Sequence, residues 1–162
     1  MIAKGTKICV GPRTAFRQVA VETLIPVPFA EQEPSAADVE LLTIDRESEP
    51  TRAFGNVAAV AGHVAPVLVT LTDGQEFRCS PDTGVLVVDD ATYSYTRAID
   101  LAPGTMLVPL GKWRPPFRPP AGKIVASVAA AEAIAVLYAV RVTGPRQNYA
   151  IAAGVYLAAD KE

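Results

Sequence analysis

Residues 67–107 read VLVTLTDGQEFRCSPDTGVLVVDDATYSYTRAIDLAPGTML, and their pattern decides the fold class. Val67, Val69 and Leu71 alternate with Leu68, Thr70 and Thr72, and a period of two marks a half-buried strand. Asp73-Gly74 follows at once. Asp-Gly between alternating runs is the strongest short-range hairpin signal, because a two-residue turn there needs positive φ at both positions. Residues 75–79 return as the partner strand, with Phe77 and Cys79 on one face. Ser80-Pro81-Asp82-Thr83-Gly84 then breaks the ladder, and residues 85–88 open a new apolar run. The stretch is a meandering β unit, and nothing in it favours helix.

The flanks extend the same pattern. On the N-terminal side, residues 7–10, 14–24, 39–45 and 53–60 read as strands. Between them lie Gly11-Pro12, the pair Pro26 and Pro28, the polar EQEPSAA of 31–37 and the charged RESEP of 46–50. Proline cannot donate to a ladder, so it ends a strand or turns it. The single histidine, His63, falls between the 53–60 strand and the hairpin, where an ordinary histidine is expected. On the C-terminal side, residues 109–120 read PLGKWRPPFRPP, which favours polyproline II and cannot lie inside a sheet. Two readings of this 109–122 segment stay open. It is a stiff surface loop whose Trp113 and Phe117 pack down, or an arm that offers Trp113, Arg114, Phe117 and Arg118 to a partner subunit, since Trp and Arg are typical hot-spot residues. Residues 124–142 are ambiguous: an Ala-rich centre suits helix, while Val136, Tyr138, Val140 and Val142 keep strand period. A turn at 143–146 and a strand pair over 148–157 close the chain.

Totals narrow the classes. A chain of 162 residues that is 50% hydrophobic fits one globular domain, residues 1–162. A net charge of −2 with 20% charged residues leaves no electrostatic footprint for nucleic acid. Two cysteines, Cys9 and Cys79, are too few for a disulfide framework, and one histidine excludes the usual zinc patterns. No metal and no cofactor are expected. Residues 1–13 lack the apolar run of a secretory signal. The apolar 124–140 stretch is short for a membrane span and carries Glu132. A soluble protein with no membrane contact, cytoplasmic when made, is expected.

The central stretch resembles the hedgehog–intein (Hint) superfamily. The residues that carry the likeness are the Asp73-Gly74 hairpin, the Ser80-Pro81-Asp82-Thr83 corner, the Val85-Leu86-Val87-Val88 run and the closing Ala98-Ile99-Asp100-Leu101-Ala102-Pro103-Gly104-Thr105-Met106-Leu107. The resemblance implies an all-β, pseudo-symmetric horseshoe of meandering antiparallel strands with little helix. It also favours two strands over 124–142, joined near Ala130.

In active members the resemblance implies self-splicing or self-cleavage. A leading Cys or Ser attacks the preceding carbonyl, a Thr-x-x-His corner polarises that peptide bond, and a C-terminal His-Asn pair releases the chain. Such an acyl shift needs a nucleophile, an oxyanion donor and a general acid. Cys9-Val10-Gly11-Pro12-Arg13-Thr14 is similar to the family's opening, with Cys9 at the nucleophile's place. At the corner Ser80 keeps a hydroxyl, but Thr83 stands where the histidine belongs. By register from Gly154 the terminal pair falls on Ala158 and Ala159, and Asp160 lies one position further. Three of the four catalytic positions are replaced. No phosphate loop, nucleophile elbow or helix-borne His pair takes their place.

The expectation is therefore a catalytically silent Hint-like domain serving as a structural or assembly protein, in the context of a small phage virion component of capsid-decoration or tail type. Its partners would be protein subunits, its own copies or a larger assembly. The alternative is residual autoprocessing that depends on Cys9.

Overall fold

The hairpin at Asp73-Gly74 forms, but with one residue more in its turn than a two-residue loop would have. In this computed structural model, which describes residues 1–11, 17–25, 37–44, 50–89, 92–110, 123–144 and 147–161, the Gly74 N–H donates to the Leu71 carbonyl (3.0 Å) and the Leu71 N–H to the Gln75 carbonyl (2.8 Å). Asp73 Oδ1 also accepts from the Gln75 N–H. The same pair of backbone bonds recurs at Ile151–Gly154, from Gly154 N–H to Ile151 and from Ile151 N–H to Val155. Gly74 and Gly154 have φ of 86° and 88°, the left-handed conformation that a bulge-closed hairpin requires of its last turn residue. Lys123 bridges these two equivalent turns. Its ammonium pairs with Asp73, and its stem lies where a side chain on Gly154 would go.

Fourteen strands follow in chain order: β1 (Ile2–Ala3), β2 (Lys7–Val10), β3 (Arg17–Ala20), β4 (Ala37–Ile44), β5 (Pro50–Val64), β6 (Val67–Leu71), β7 (Glu76–Cys79), β8 (Gly84–Asp89), β9 (Thr92–Arg97), β10 (Met106–Leu107), β11 (Lys123–Ala130), β12 (Ile134–Val142), β13 (Asn148–Ala150) and β14 (Tyr156–Ala158). They join in one antiparallel sheet of order 13-14-8-10-11-6-7-1-12-5-4-2-3, with β9 beside β8. The described residues contain no α-helix, only short 3-10 turns at Val21–Leu24 and Ala98–Asp100. The all-β expectation holds.

Two local expectations need correction. Of the strand read over 14–24, residues 17–20 form β3 and the chain then enters the 3-10 turn at Val21–Leu24, while residues 14–16 lie outside the described residues. There Thr23 Oγ1 donates to the Ala20 carbonyl, a local bond that competes with the ladder, while the Val21 N–H still donates to the distant Thr6 carbonyl. The strand read over 53–60 extends to fifteen residues as β5. It absorbs Pro50 and the segment containing His63, because β4 and β12 pair with it from both sides. Proline is tolerated as a strand's first residue. The two strands expected over 124–142, joined near Ala130, do form as β11 and β12: Ala130 pairs with Val67, Ala129 with Leu68, and the Ala131 N–H donates to Pro66. Long-range pairing overrides the helix preference of alanine, a local term of less than about 1 kcal/mol per residue.

The alternating faces build the core. Val67, Val69, Leu71, Phe77 and Cys79 are buried as their spacing predicts, with Ile2, Ile8, Leu41, Val57, Val140, Tyr149 and Ile151 among their neighbours in one cluster. A second cluster holds Cys9, Leu42, Ile44, Leu86, Val108, Ala150 and Tyr156. Of the 109–122 segment, Pro109 bridges to Val155 and the Leu110 N–H donates to Gly154. Trp113, Arg114, Phe117 and Arg118 lie outside the described residues.

Candidate functional site

The Ser80–Thr83 corner closes on itself and on the start of the chain. β7 delivers Ser80, and a turn returns Thr83 to it, its N–H donating to the Ser80 carbonyl at 3.0 Å. The two hydroxyls are 2.7 Å apart. Outside the corner, Ala98 and Ile99 of the 3-10 turn donate to the Thr83 and Pro81 carbonyls, which explains why the A-x-D-L run follows at that distance. Ser80 and Thr83 are both buried.

β1 lies against this corner because Ile2 pairs with Cys79 on one side and Tyr138 on the other. Met1 therefore enters the corner. Its carbonyl accepts from the Ser80 N–H (2.8 Å) and from Thr83 Oγ1 (3.1 Å). Its nitrogen donates to Thr83 Oγ1 (3.1 Å), Ser80 Oγ (3.3 Å) and Asp160 Oδ1 (2.7 Å). The other carboxylate oxygen of Asp160 accepts from the Val140 N–H (2.9 Å), and the Asp160 N–H donates back to the Val140 carbonyl (2.8 Å). Residues from both ends of the sequence thus meet over one turn in its middle.

Cys9 is elsewhere. It lies in β2 opposite Gln18, is wholly buried in the second cluster, and burial pushes its thiol up to about 11. That is the environment of a small hydrophobe rather than a nucleophile, since only the thiolate attacks. Of the residues read from the sequence as a nucleophile and its corner, the structure brings Ser80 and Thr83 together and puts Met1, not Cys9, beside them. Thr14 lies outside the described residues. Ala158 pairs with Asn148 in β14, and the Ala159 N–H donates to Gln147, so neither reaches the corner with a polar group. Asp160 does.

The thiol beside the corner is Cys79, fully buried. Burial pushes it up to about 12, against the opposing pull of the Met1 nitrogen and a hydrogen bond from Thr83. Tyr149 is also wholly buried, its hydroxyl without a partner. Burial holds it well above the usual phenol range, and the nearby charge of Asp160 adds to this. The corner therefore offers hydroxyls, a carboxylate and neutral buried acids. Among the described residues, no group of three or more His, Cys, Asp or Glu side chains gathers to hold a metal, and no described helix is long and apolar enough to cross a membrane.

No protein-family model and no curated protein matches the sequence. Solved structures do resemble it. An intein from a hyperthermophile superposes with a TM-score of 0.79 at 14% identity, over 97% of this chain and 98% of that one. The transcription factor IIB Mvu mini-intein gives 0.74 at 14% identity, covering 98% and 99%. The DnaB intein from Synechocystis sp. PCC 6803 gives 0.72 at 13% identity, covering 99% and 98%. The chain has the Hint fold of inteins over nearly its whole length. Sequence reasoning missed Met1 as the residue facing the corner, because β1 is two residues long and too short for any periodicity to announce it.

Proposed function

We propose that this chain keeps the intein fold for its shape and surfaces and does not process peptide bonds. The observation that carries this reading is the residue at the corner. Met1 sets its backbone nitrogen against Ser80 and Thr83, and the thioether of methionine has no proton to lose and cannot become an acyl-accepting thiolate. Thr83 cannot take up and return a proton near neutral pH, and loss of a positioned acid or base costs about 10²–10⁴-fold in rate. Asp160, the carboxylate that the closing stretch brings to the corner, is held by the Met1 nitrogen and the Val140 N–H.

The role that suits such a domain is structural: a subunit of a larger protein assembly, with a small virion component of decoration or tail type as its setting. Among the described residues β3 and β9 each pair with a single neighbour, and open strand edges call for cover, which subunit packing supplies. The proline-rich segment with Trp113, Arg114, Phe117 and Arg118 is the proposed contact. Deleting residues 111–122 should weaken association measured by analytical ultracentrifugation; unchanged association rejects the arm.

The decisive experiment on the chemistry is intact mass of the chain carrying a short N-terminal extension, incubated with and without dithiothreitol. An unchanged mass over days is the expected result. Loss of the extension would favour a second reading, intein-like autoprocessing, for which the near-complete likeness to solved inteins speaks. Repeating the incubation with Cys9→Ala then separates a cleavage that depends on Cys9 from one that does not.

A further inference from the structure

Away from the corner, the β1–β2 turn, the β6–β7 hairpin and the turn after Ile151 border an open hollow of about 280 Å³. Lys4, Lys7 and Arg78 line it together with a single carboxylate, Glu76. Every ion pair among the described residues lies elsewhere, at Met1–Asp160, Arg52–Glu40, Arg97–Asp100 and Lys123–Asp73. Three unpaired cations around one hollow are unusual in a chain of net charge −2. Their mutual repulsion favours an anion between them.

The hollow is built rather than incidental. The Lys7 carbonyl accepts from Ala152 and the Thr6 carbonyl from Val21, while the Gly5 N–H donates to Glu22 Oε2. The first bond holds the basic turn against the Ile151 turn, and the other two tie it to the 3-10 turn at Val21–Leu24. Phe77, Ile151 and Ala153 are buried residues of the wall, so part of the lining is apolar. The volume falls just below the usual range of small-molecule sites and suits a compact ligand.

We infer that this hollow is a binding site for a small dianion, a phosphate monoester or a paired carboxylate, carried on a compact apolar body. Arg78 supplies the planar fork that suits either oxyanion, and Lys4 and Lys7 supply point charges.

The test is an NMR amide titration of the full chain with phenyl phosphate, phthalate and inorganic phosphate. Saturable shifts confined to residues 4–7, 75–78 and 151–153 are expected with phenyl phosphate or phthalate, and whichever binds tighter identifies the head group. Inorganic phosphate should bind more weakly, because it leaves the apolar wall uncovered. Lys7→Gln and Arg78→Gln, both at exposed positions, should each weaken binding about tenfold, and Glu76→Gln should strengthen it. Shifts that do not saturate, or that spread equally to other exposed bases such as Arg17 and Lys161, would overturn the site. So would an affinity indifferent to Lys7→Gln and Arg78→Gln. Equal binding of inorganic phosphate would overturn the apolar body.

Discussion

Asn148 and Asp160 belong to the same closing stretch of chain, and each ties a distant segment to it in a different way. Asn148 is buried and neutral. Its Oδ1 accepts from Thr43 Oγ1 at 2.7 Å and the Ile44 N–H at 3.0 Å, and its Nδ2 donates to the Ile44 carbonyl at 3.0 Å. Asp160 is charged and partly open, with a relative side-chain exposure of 20% against 29% for its partner Met1. The first device needs no water and leaves little room for other chemistry. The second survives because solvent still reaches both charges, and this limits what it contributes to stability. The contrast separates a buried lock from a partly solvated clasp: the amide satisfies its polar neighbours without water, and the ion pair shares its charges with solvent.

Breaking the lock should cost most. Asn148→Ala strands the Ile44 N–H and carbonyl and the Thr43 hydroxyl, and should lower unfolding free energy by about 2–4 kcal/mol in urea titration. A loss below about 1 kcal/mol would mean that water takes over the role of the amide.

Alkali gives the next largest effect and extends the contrast to buried neutral groups. Cys9 and Cys79 are raised in the folded chain to about 11 and about 12, against about 8.5 in an unfolded chain. A group whose folded value is raised contributes stability that is complete below the unfolded value and is lost as pH rises through the folded one. Between pH 8.5 and 10 each thiol should therefore cost at most about 2 kcal/mol in all. Cys9→Ser and Cys79→Ser should flatten that pH dependence in melts between pH 8 and 10.5, and equal slopes in all three chains would contradict it. In the native state both thiols should resist a thiol reagent at pH 8.

Asp160→Asn should cost about 1 kcal/mol, less than the loss of Asn148, because its ion pair is partly solvated. Added salt should weaken the parent chain and leave the variant nearly unchanged. A loss matching that of Asn148→Ala would erase the distinction between lock and clasp.

The smallest effect is on the acid side. The Lys123 hydrogen bond, followed by the Gln75 N–H, holds Asp73 below the usual carboxylate range. A depressed folded value means that the stabilisation is present above the unfolded value of about 3.9 and fades as pH falls through the folded one. Asp73 is 42% exposed, so only a slight difference between the parent and Asp73→Asn is expected in melts from pH 5 to 2. Parallel curves would show that the bridge between the two glycine turns carries no energy.

Much of this structure was legible in the residues. Val67, Val69 and Leu71 announced a half-buried strand, and they are buried where Leu68 and Thr70 are not. Asp73-Gly74 placed the reversal, although the turn has an extra residue because the ladder closes on Leu71 and Gln75. Strand pairs over 124–142 were recovered against their alanine content through the period of Val136, Tyr138, Val140 and Val142. The chemistry was harder to place. Cys9 attracted attention because thiols are scarce, yet its side chain faces Leu86 and Tyr156 in the core. Ile2 and Ala3 carry no pattern, yet they set Met1 against Thr83.

By itself the sequence determined the strands, the turns between them, the faces that are buried, and the absence of a histidine at position 83. Alternation and turn chemistry act between residues near each other in the chain, so they can be read locally. Only the tertiary structure decided that Met1, Ser80, Thr83 and Asp160 meet, that Asn148 reaches Ile44, and that three bases surround one hollow. Those contacts span up to 159 positions. They exist because β1 is gripped between β7 and β12, a pairing fixed by packing of the whole sheet and by no local preference.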